Sequence, residues 1–309
     1  MAKEMAAALP GLKLKFRHRE AIAFYILASP WIIGFLVFTL GPMLYSIVIS
    51  FMRYEVITPP VFIGLANYDT LLFHDALIWQ SLKVTALYAV GSVVIGMIAA
   101  FFVALLMNQQ IPGIYIFRTI YYLPSSISGV PVALLWMWIF NPEFGILNTA
   151  LRFFGIQGPQ WLFDPNWVIP AFIIMSLWGI GGGMVIFLAS LQGIPQHLYE
   201  AAELDGAGAL TKLLNVTLPM ISPVILFNLV MSIIGSMQTF TQAFVMTQGG
   251  PANASLFYVL YLYRNAMTYF KMGYGSAMAW LLLVIILALS GLVLRSSPLW
   301  VYYEGEMRG

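Results

Sequence analysis

The chain of 309 residues has no cysteine. Disulfides, thiolate nucleophiles and Cys-ligated metals are therefore excluded. Histidine occurs only at His18, His74 and His197, too scattered for a ligand set. Charge is nearly as scarce. Only 8% of residues are Asp, Glu, Lys or Arg, where soluble domains carry roughly a quarter. A chain so poor in charge cannot solvate a globular surface. The net charge of +2, with no basic cluster beyond the N-terminus, gives no footing for nucleic acid. There is no G-x-x-x-x-G-K-[S/T] phosphate loop, since the nearest stretch, Gly206 to Lys212, lacks the second glycine. ATP is not bound by that route. Acidic residues are almost missing from the long apolar runs, which disfavours proton relay through buried side chains. A sodium site built from backbone carbonyls stays open.

What is present is apolar length: 61% of residues are hydrophobic. A bilayer core needs about 20 consecutive apolar residues per helix. Six segments qualify, at 21–52, 81–107, 114–140, 167–191, 220–246 and 272–295. The first run is too long for a signal peptide and no small-residue cleavage site closes it, so it reads as a retained helix, tilted or kinked at Pro42. Pro124 and Pro131 free backbone carbonyls in the third, and Gly91, Gly96 and Gly129 permit close helix approach. With the N-terminus inside, the inner side holds Lys3, Lys13, Lys15, Arg17, Arg19, Arg118, Lys212, Arg295 and Arg308. The outer side holds Arg53, Lys83, Arg152, Arg264 and Lys271. Nine against five places both termini in the cytoplasm by the positive-inside rule. The reading is one all-α integral membrane domain at 21–295, with a cytoplasmic N-terminal segment at 1–20 and a cytoplasmic tail at 296–309. The outer stretch 141–166 is rich in turn residues, and its Pro159, Trp161 and Phe163, with the adjoining Trp167, suit the water–lipid boundary.

One polar island interrupts the apolar chain. The inner loop 192–219 contains Glu200, Glu203, Asp205 and Lys212. Pro195 suits a helix start, and good helix formers run from Gln196 to Leu204. Small alanines let such a helix enter a cleft, while Glu200 and Glu203 offer charge to a partner. Asp205-Gly206-Ala207-Gly208 ends it, since Gly206 takes positive φ freely. A second short helix is expected from Ala209 to Val216, with Leu218-Pro219 restarting the chain into the membrane. Spacing alone also allows a plain helical hairpin with solvated charges. Two polar runs flank the loop. Met175 to Gly183 holds Trp178 among clustered glycines, and Gly235 to Gln242 is the most polar run inside any span. Ser, Thr and Gln beside Trp or Phe suit a polyhydroxylated substrate, with Gln238 and Gln242 as i,i+4 neighbours. Polar helix–helix contacts explain the same residues.

The island resembles the signature of permease subunits of binding-protein-dependent ABC importers. That pattern is Glu-Ala-Ala, three residues, Gly, nine residues, an aliphatic residue, any residue, then Leu-Pro. Here it stands as Glu200-Ala201-Ala202, Gly206, Val216 and Leu218-Pro219. The chain is further similar to the carbohydrate branch typified by the maltose importer. The matching stretches are Phe62 to Tyr68, Leu123-Pro124, Trp138 to Asn141, Asp205-Gly206-Ala207 and Gly249-Gly250-Pro251. The resemblance implies a six-helix type I importer permease in a bacterial or archaeal cytoplasmic membrane. This subunit would be half a pore and not itself catalytic. The implied partners are a second, homologous permease, two ATPase subunits that bind ATP and Mg, an extracytoplasmic binding protein and a carbohydrate substrate. Coupling to the ATPase would fall to Glu200, Ala201, Ala202, Asp205, Gly206, Leu218 and Pro219. By motif alignment, substrate contacts would fall to Gly179, Gly182, Ser236 and Thr239. No cofactor or metal is expected in this chain. Rival readings are a permease for a glycerol phosphate ester or polyol, and an ion-coupled secondary carrier.

Overall fold

The computed structural model describes residues 16–127 and 129–302, with side chains from Glu20 onward. The expected cytoplasmic segment at 1–20 and the tail at 296–309 lie for the most part outside the described residues. A helix-rich chain emerges, with one two-residue antiparallel ladder pairing β1 (Met52–Arg53) with β2 (Val61–Phe62).

Among the described residues, four helices are long and apolar enough to cross a membrane, and the count rises to six if each of two bent pairs is one span. The first, α1, runs through Phe16–Phe35, a π turn at Leu36–Leu40 and Gly41–Ser50. The π turn sits just before Pro42, whose missing N–H cannot complete an ordinary helical ladder. A short helix α2 (Ala66–Asp69) follows the ladder, and Asp75 then caps α3 (Ala76–Met107), its Oδ1 accepting the Leu77 N–H at 3.0 Å. The expected third span is α4 (Ile114–Tyr122) and α5 (Val130–Ile139), which meet at 105°. Pro124 and Pro131 remove two donors there, and Gly129 at φ +79° turns the chain. A short helix α6 (Ile146–Phe153) follows. The fourth span bends by 49° between α7 (Val168–Ser176, continued by a 3₁₀ turn at Leu177–Gly179) and α8 (Gly181–Gln192). Glycine weakens a helix by about 1 kcal/mol relative to alanine, and the bend falls where glycines cluster.

Then come α9 (Gln196–Leu204) and α10, which is continuous through Ala209–Lys212, a π turn at Leu213–Thr217 and Leu218–Met237. The short segment α11 (Tyr258–Tyr263) precedes the last span, α12 (Met272–Ser296). Here the structure departs from the sequence reading. Leu218-Pro219 do not restart the chain after a break. The π turn closes with the Leu218 N–H on the Leu213 carbonyl, so the helix crosses Pro219 without interruption. At the other end α10 stops at Met237 rather than near 246.

α3 is the axis of the fold. Its first half packs on α7, α11 and the wider core that includes Phe140, Phe172, Phe257 and Tyr258. Its second half packs on α8 through Ala100 and Ala104, both buried, with Met184 and Phe187 opposite. Gly91 admits Ile173 against the helix backbone, whereas Gly96 and Gly129 face open space and mediate no close approach. Much of the remaining apolar surface is exposed, as lipid contact requires. Along α1, for example, Leu27, Trp31 and Phe38 stand well out of the chain's own core.

The stretch 141–166 is more ordered than its turn-rich composition implies. Asn148, only 3% exposed, donates Nδ2 to the carbonyls of Pro142 and Pro159, both at 3.1 Å. Its Oδ1 accepts from Trp161 Nε1 at 2.7 Å. Trp161 is therefore buried, against the expectation that it faces the water–lipid boundary, while Phe163 and Trp167 are exposed. Asn148→Ala would orphan the indole N–H and two carbonyls, each costing about 1–3 kcal/mol. We expect it to destabilise the chain by about 3 kcal/mol in a thermal or denaturant unfolding series.

Candidate functional site

The loop 192–219 contains a helix with the expected bounds, Gln196–Leu204. Pro195 occupies its N-cap with extended backbone. Its end is a Schellman stop: the Ala207 N–H bonds to the Ala202 carbonyl at 2.9 Å and the Gly206 N–H to Glu203 at 3.0 Å. Gly206 supplies the left-handed residue that this stop needs, at φ +78°. Two faces separate. Tyr199 and Glu203, one turn apart, look back onto α10. The Tyr199 hydroxyl is 3.0 Å from Thr217 Oγ1, and Lys212 Nζ donates to Glu203 Oε1 at 2.6 Å. Glu203 is thus held within the chain, where the sequence offered it to a partner. Glu200, Ala201, Leu204, Asp205 and Gly206 are exposed. Leu204 is 90% exposed. Leu218 and Pro219, assigned to the same coupling set, lie half-buried in α10, directly after Thr217, the partner of Tyr199.

Of the substrate-path candidates, the structure brings three together. Trp178, Gly179 and Gln242 line one cavity of about 340 Å³. Tyr88, Ser125, Ser176 and Thr241 join them, with Phe172 and Met175 forming apolar wall. The cavity therefore lies between α3, the α4–α5 bend, the α7–α8 bend and the segment after α10. No Asp, Glu, Lys or Arg is among its lining residues. Behind it, Trp178 makes an edge-on contact with the buried Trp136, ring centres 6.1 Å apart. The other candidates stand elsewhere. Ser236 is buried, its Oγ donating to the Ile233 carbonyl at 3.0 Å. Thr239 is buried and interacts with Tyr88, so it supports the wall without lining it. Gln238 is exposed outside the cavity, because α10 ends beside it and breaks its i,i+4 relation to Gln242. Gly182 faces open space on α8 without lining the cavity.

Sequence reasoning missed Tyr88 and Ser125. The polar Ser125 in a helix break beside Pro124 was the available signal. Tyr88 gave none, as one tyrosine in an apolar helix is ordinary.

A membrane domain with an exposed polar helix between two spans, and an uncharged polar cavity at its helix bends, defines a solute permease. The chain belongs to the family of binding-protein-dependent transport system inner membrane components, whose model matches residues 92–300. It is a multi-pass inner-membrane protein with the type I ABC importer permease fold. It is 42% identical over 292 residues to the probable ABC transporter permease protein YesP of Bacillus subtilis (strain 168), covering 93% of this chain and 94% of that one. It is 32% identical to the arabinooligosaccharides transport system permease protein AraP of the same organism, over 94% and 93% of the two chains. Among solved structures it is similar to a chain of a bacterial ABC transporter involved in the import of the acidic polysaccharide alginate. The TM-score is 0.76 at 25% identity, over 91% of this chain and 96% of that one.

Proposed function

We propose that this chain is the permease subunit of an ATP-driven importer of a sugar or oligosaccharide, forming half of the translocation path. The observation that carries the carbohydrate assignment is the cavity. It combines hydroxyl and amide groups (Ser125, Ser176, Thr241, Gln242) with aromatic surface (Tyr88, Trp178) and excludes charge. Such a lining suits a neutral polyhydroxylated ring and disfavours a phosphate ester, which would call for cationic partners. The name of the AraP relative supports the same class.

Both termini are cytoplasmic in this reading, so α9 faces the cytoplasm. Its exposed row Glu200, Ala201, Leu204, Asp205 and Gly206 docks on an ATPase subunit. Two such ATPases supply ATP and Mg, a second permease completes the pore, and an extracytoplasmic binding protein delivers the sugar. This chain carries out no catalysis and holds no cofactor of its own. ATP binding closes the ATPase pair, α9 follows, and α10 carries the displacement to the segment beside the cavity.

The test is uptake of labelled oligosaccharide into vesicles containing the assembled importer. Uptake should require ATP and the binding protein, and Gln242→Ala should reduce it about tenfold, as the loss of one buried hydrogen bond implies. Uptake by this chain alone under a proton or sodium gradient would overturn the assignment. Full uptake by the Gln242 variant would remove the cavity from the path.

A further inference from the structure

A second cavity, of about 400 Å³, lies at the opposite end of α3 from α9. Its lining includes Arg53, Tyr54, Asp75, Tyr261, Lys271 and Tyr274. It shares no residue with the inner cavity. Asp75 and Tyr88 are 13 residues apart on one helix, which separates the two sites by about 20 Å.

The walls of this outer cavity are fastened by hydrogen bonds. The Asp75 Oδ2 accepts from the Tyr261 hydroxyl at 2.7 Å and from the Tyr274 hydroxyl at 2.6 Å. One carboxylate thereby ties the start of α3 to α11 and α12. Asn67 Nδ2 holds the carbonyls of Ser50 and Met52 at 2.8 and 2.9 Å. The Gly273 N–H reaches the Tyr54 carbonyl at 3.2 Å, and Glu55 forms a backbone bridge with Lys271. Burial, and next the hydrogen bond to Asp75, push the Tyr261 hydroxyl up to about 12, so it remains a donor at any physiological pH.

Yet the functional groups over this rigid floor are unused. Arg53, Glu55 and Lys271 have no side-chain partner among the described residues, although Glu55 and Lys271 are backbone neighbours. The Tyr54 hydroxyl is likewise unpartnered among them. Here a pinned concavity of ligand-binding size presents cationic donors, a carboxylate and phenol groups side by side. Hydroxyl-rich rings are recognised by that mixture of donors, acceptors and aromatic surface.

We propose that this outer cavity is a saccharide subsite, separate from the inner cavity, which holds a sugar unit at the extracytoplasmic mouth before it enters the path. The proposal rests on the carbohydrate reading and on the orientation given above. Arg53 and Lys271 bind ring hydroxyls or a ring carboxylate, and the Tyr54 hydroxyl adds a further contact.

The test uses the full chain assembled with its partner subunits in nanodiscs. The probes are maltotriose, which is neutral, and trigalacturonate, which is acidic. Arg53→Ala combined with Lys271→Ala removes two exposed side chains that hold nothing in the fold, and Tyr54→Phe removes one hydroxyl. The double variant should weaken binding of free oligosaccharide about tenfold and raise the KM for uptake by a similar factor, with kcat unchanged. Tyr54→Phe should weaken binding by a smaller factor. Weakening confined to trigalacturonate assigns carboxylate recognition, and equal weakening of both probes assigns hydroxyl recognition; either supports the subsite. Unchanged binding and KM in the double variant, with Gln242→Ala still impaired, would overturn the outer subsite alone. Weaker affinity for the binding protein with unchanged free-sugar binding would overturn it in favour of a protein contact. Failure of the wild-type assembly to bind or import either probe, with its ATPase intact, would overturn the carbohydrate reading itself and the subsite with it.

Discussion

Gly181→Val is expected to abolish transport and to destabilise the chain by about 3 kcal/mol or more. Gly181 opens α8 at the 49° bend of the fourth span. A Cβ there would drive into the Tyr121 carbonyl and stand 2.8 Å from the Tyr122 Cα. Both obstacles are backbone, so no rotamer change relieves them. Relief requires the end of α4 to move, and with it Pro124 and Ser125, which form one wall of the inner cavity. Stability and transport should therefore fail together. Two neighbours act as controls for the position. A Cβ at Gly179 or Gly182 meets nothing within 4 Å. Gly182→Ala lies inside α8, so it should fold at least as well as the parent by the alanine-over-glycine preference of about 1 kcal/mol. Size-exclusion profiles and unfolding curves of the three variants decide the point. A Gly181 variant as stable as Gly182→Ala would mean that α4 and α8 do not meet as described.

The second large effect is functional without being structural. Gly206→Trp should reduce ATP-driven uptake about a hundredfold while leaving oligosaccharide binding and assembly of the permease pair intact. Gly206 has φ +78°, where a side chain costs roughly 1–2 kcal/mol. The position is open among the described residues: it is exposed, and a Cβ there meets nothing within 4 Å. On the proposed docking of α9, the indole would project into the ATPase contact. Gly206→Asn separates the two components. Asparagine tolerates the left-handed conformation and is small, so it should keep most of the uptake. Uptake and sugar-stimulated ATP hydrolysis should be measured on the same vesicles. Normal rates in Gly206→Trp would withdraw the docking assignment. Equal losses in both variants would trace the effect to the backbone.

What the sequence disclosed and what it concealed follow the range of the interactions involved. The bounds of α9 were legible because its signals are local. Pro195 starts it, Glu200-Ala201-Ala202 favours it, and Asp205-Gly206 stops it. Six crossings were legible because apolar length is also a local property. The course of α10 was not. Pro219 reads as a helix start, and only the i→i+5 closure of a π turn shows how a helix passes through it. That α10 ends at Met237, separating Gln238 from Gln242, was likewise hidden, because no proline or glycine between 238 and 248 marks a stop. Trp161 was placed at the boundary by residue type, and was drawn inward by one acceptor, Asn148, in a helix that the turn-rich composition masked. The inner cavity was half legible. Trp178, Gly179 and Gln242 come from runs that flank the inner loop in sequence. Tyr88 and Ser125 reach the same space from distant segments, and that convergence depends on how α3 and the α4–α5 bend pack.

The unbroken course of α10 sets how far a small push travels. From Ala209 to Met237 it has 29 residues, or about 43 Å of helix. Its first turns are pinned to α9 through Tyr199–Thr217 and Lys212–Glu203. Its upper end stops four residues before Thr241, at the cavity wall. A stiff rod of that length, tilting by about 10° around its middle, shifts each tip by about 4 Å in opposite directions. An inward swing at one face of the membrane is then an outward swing at the other, the seesaw relation that alternating exposure of a single pathway demands.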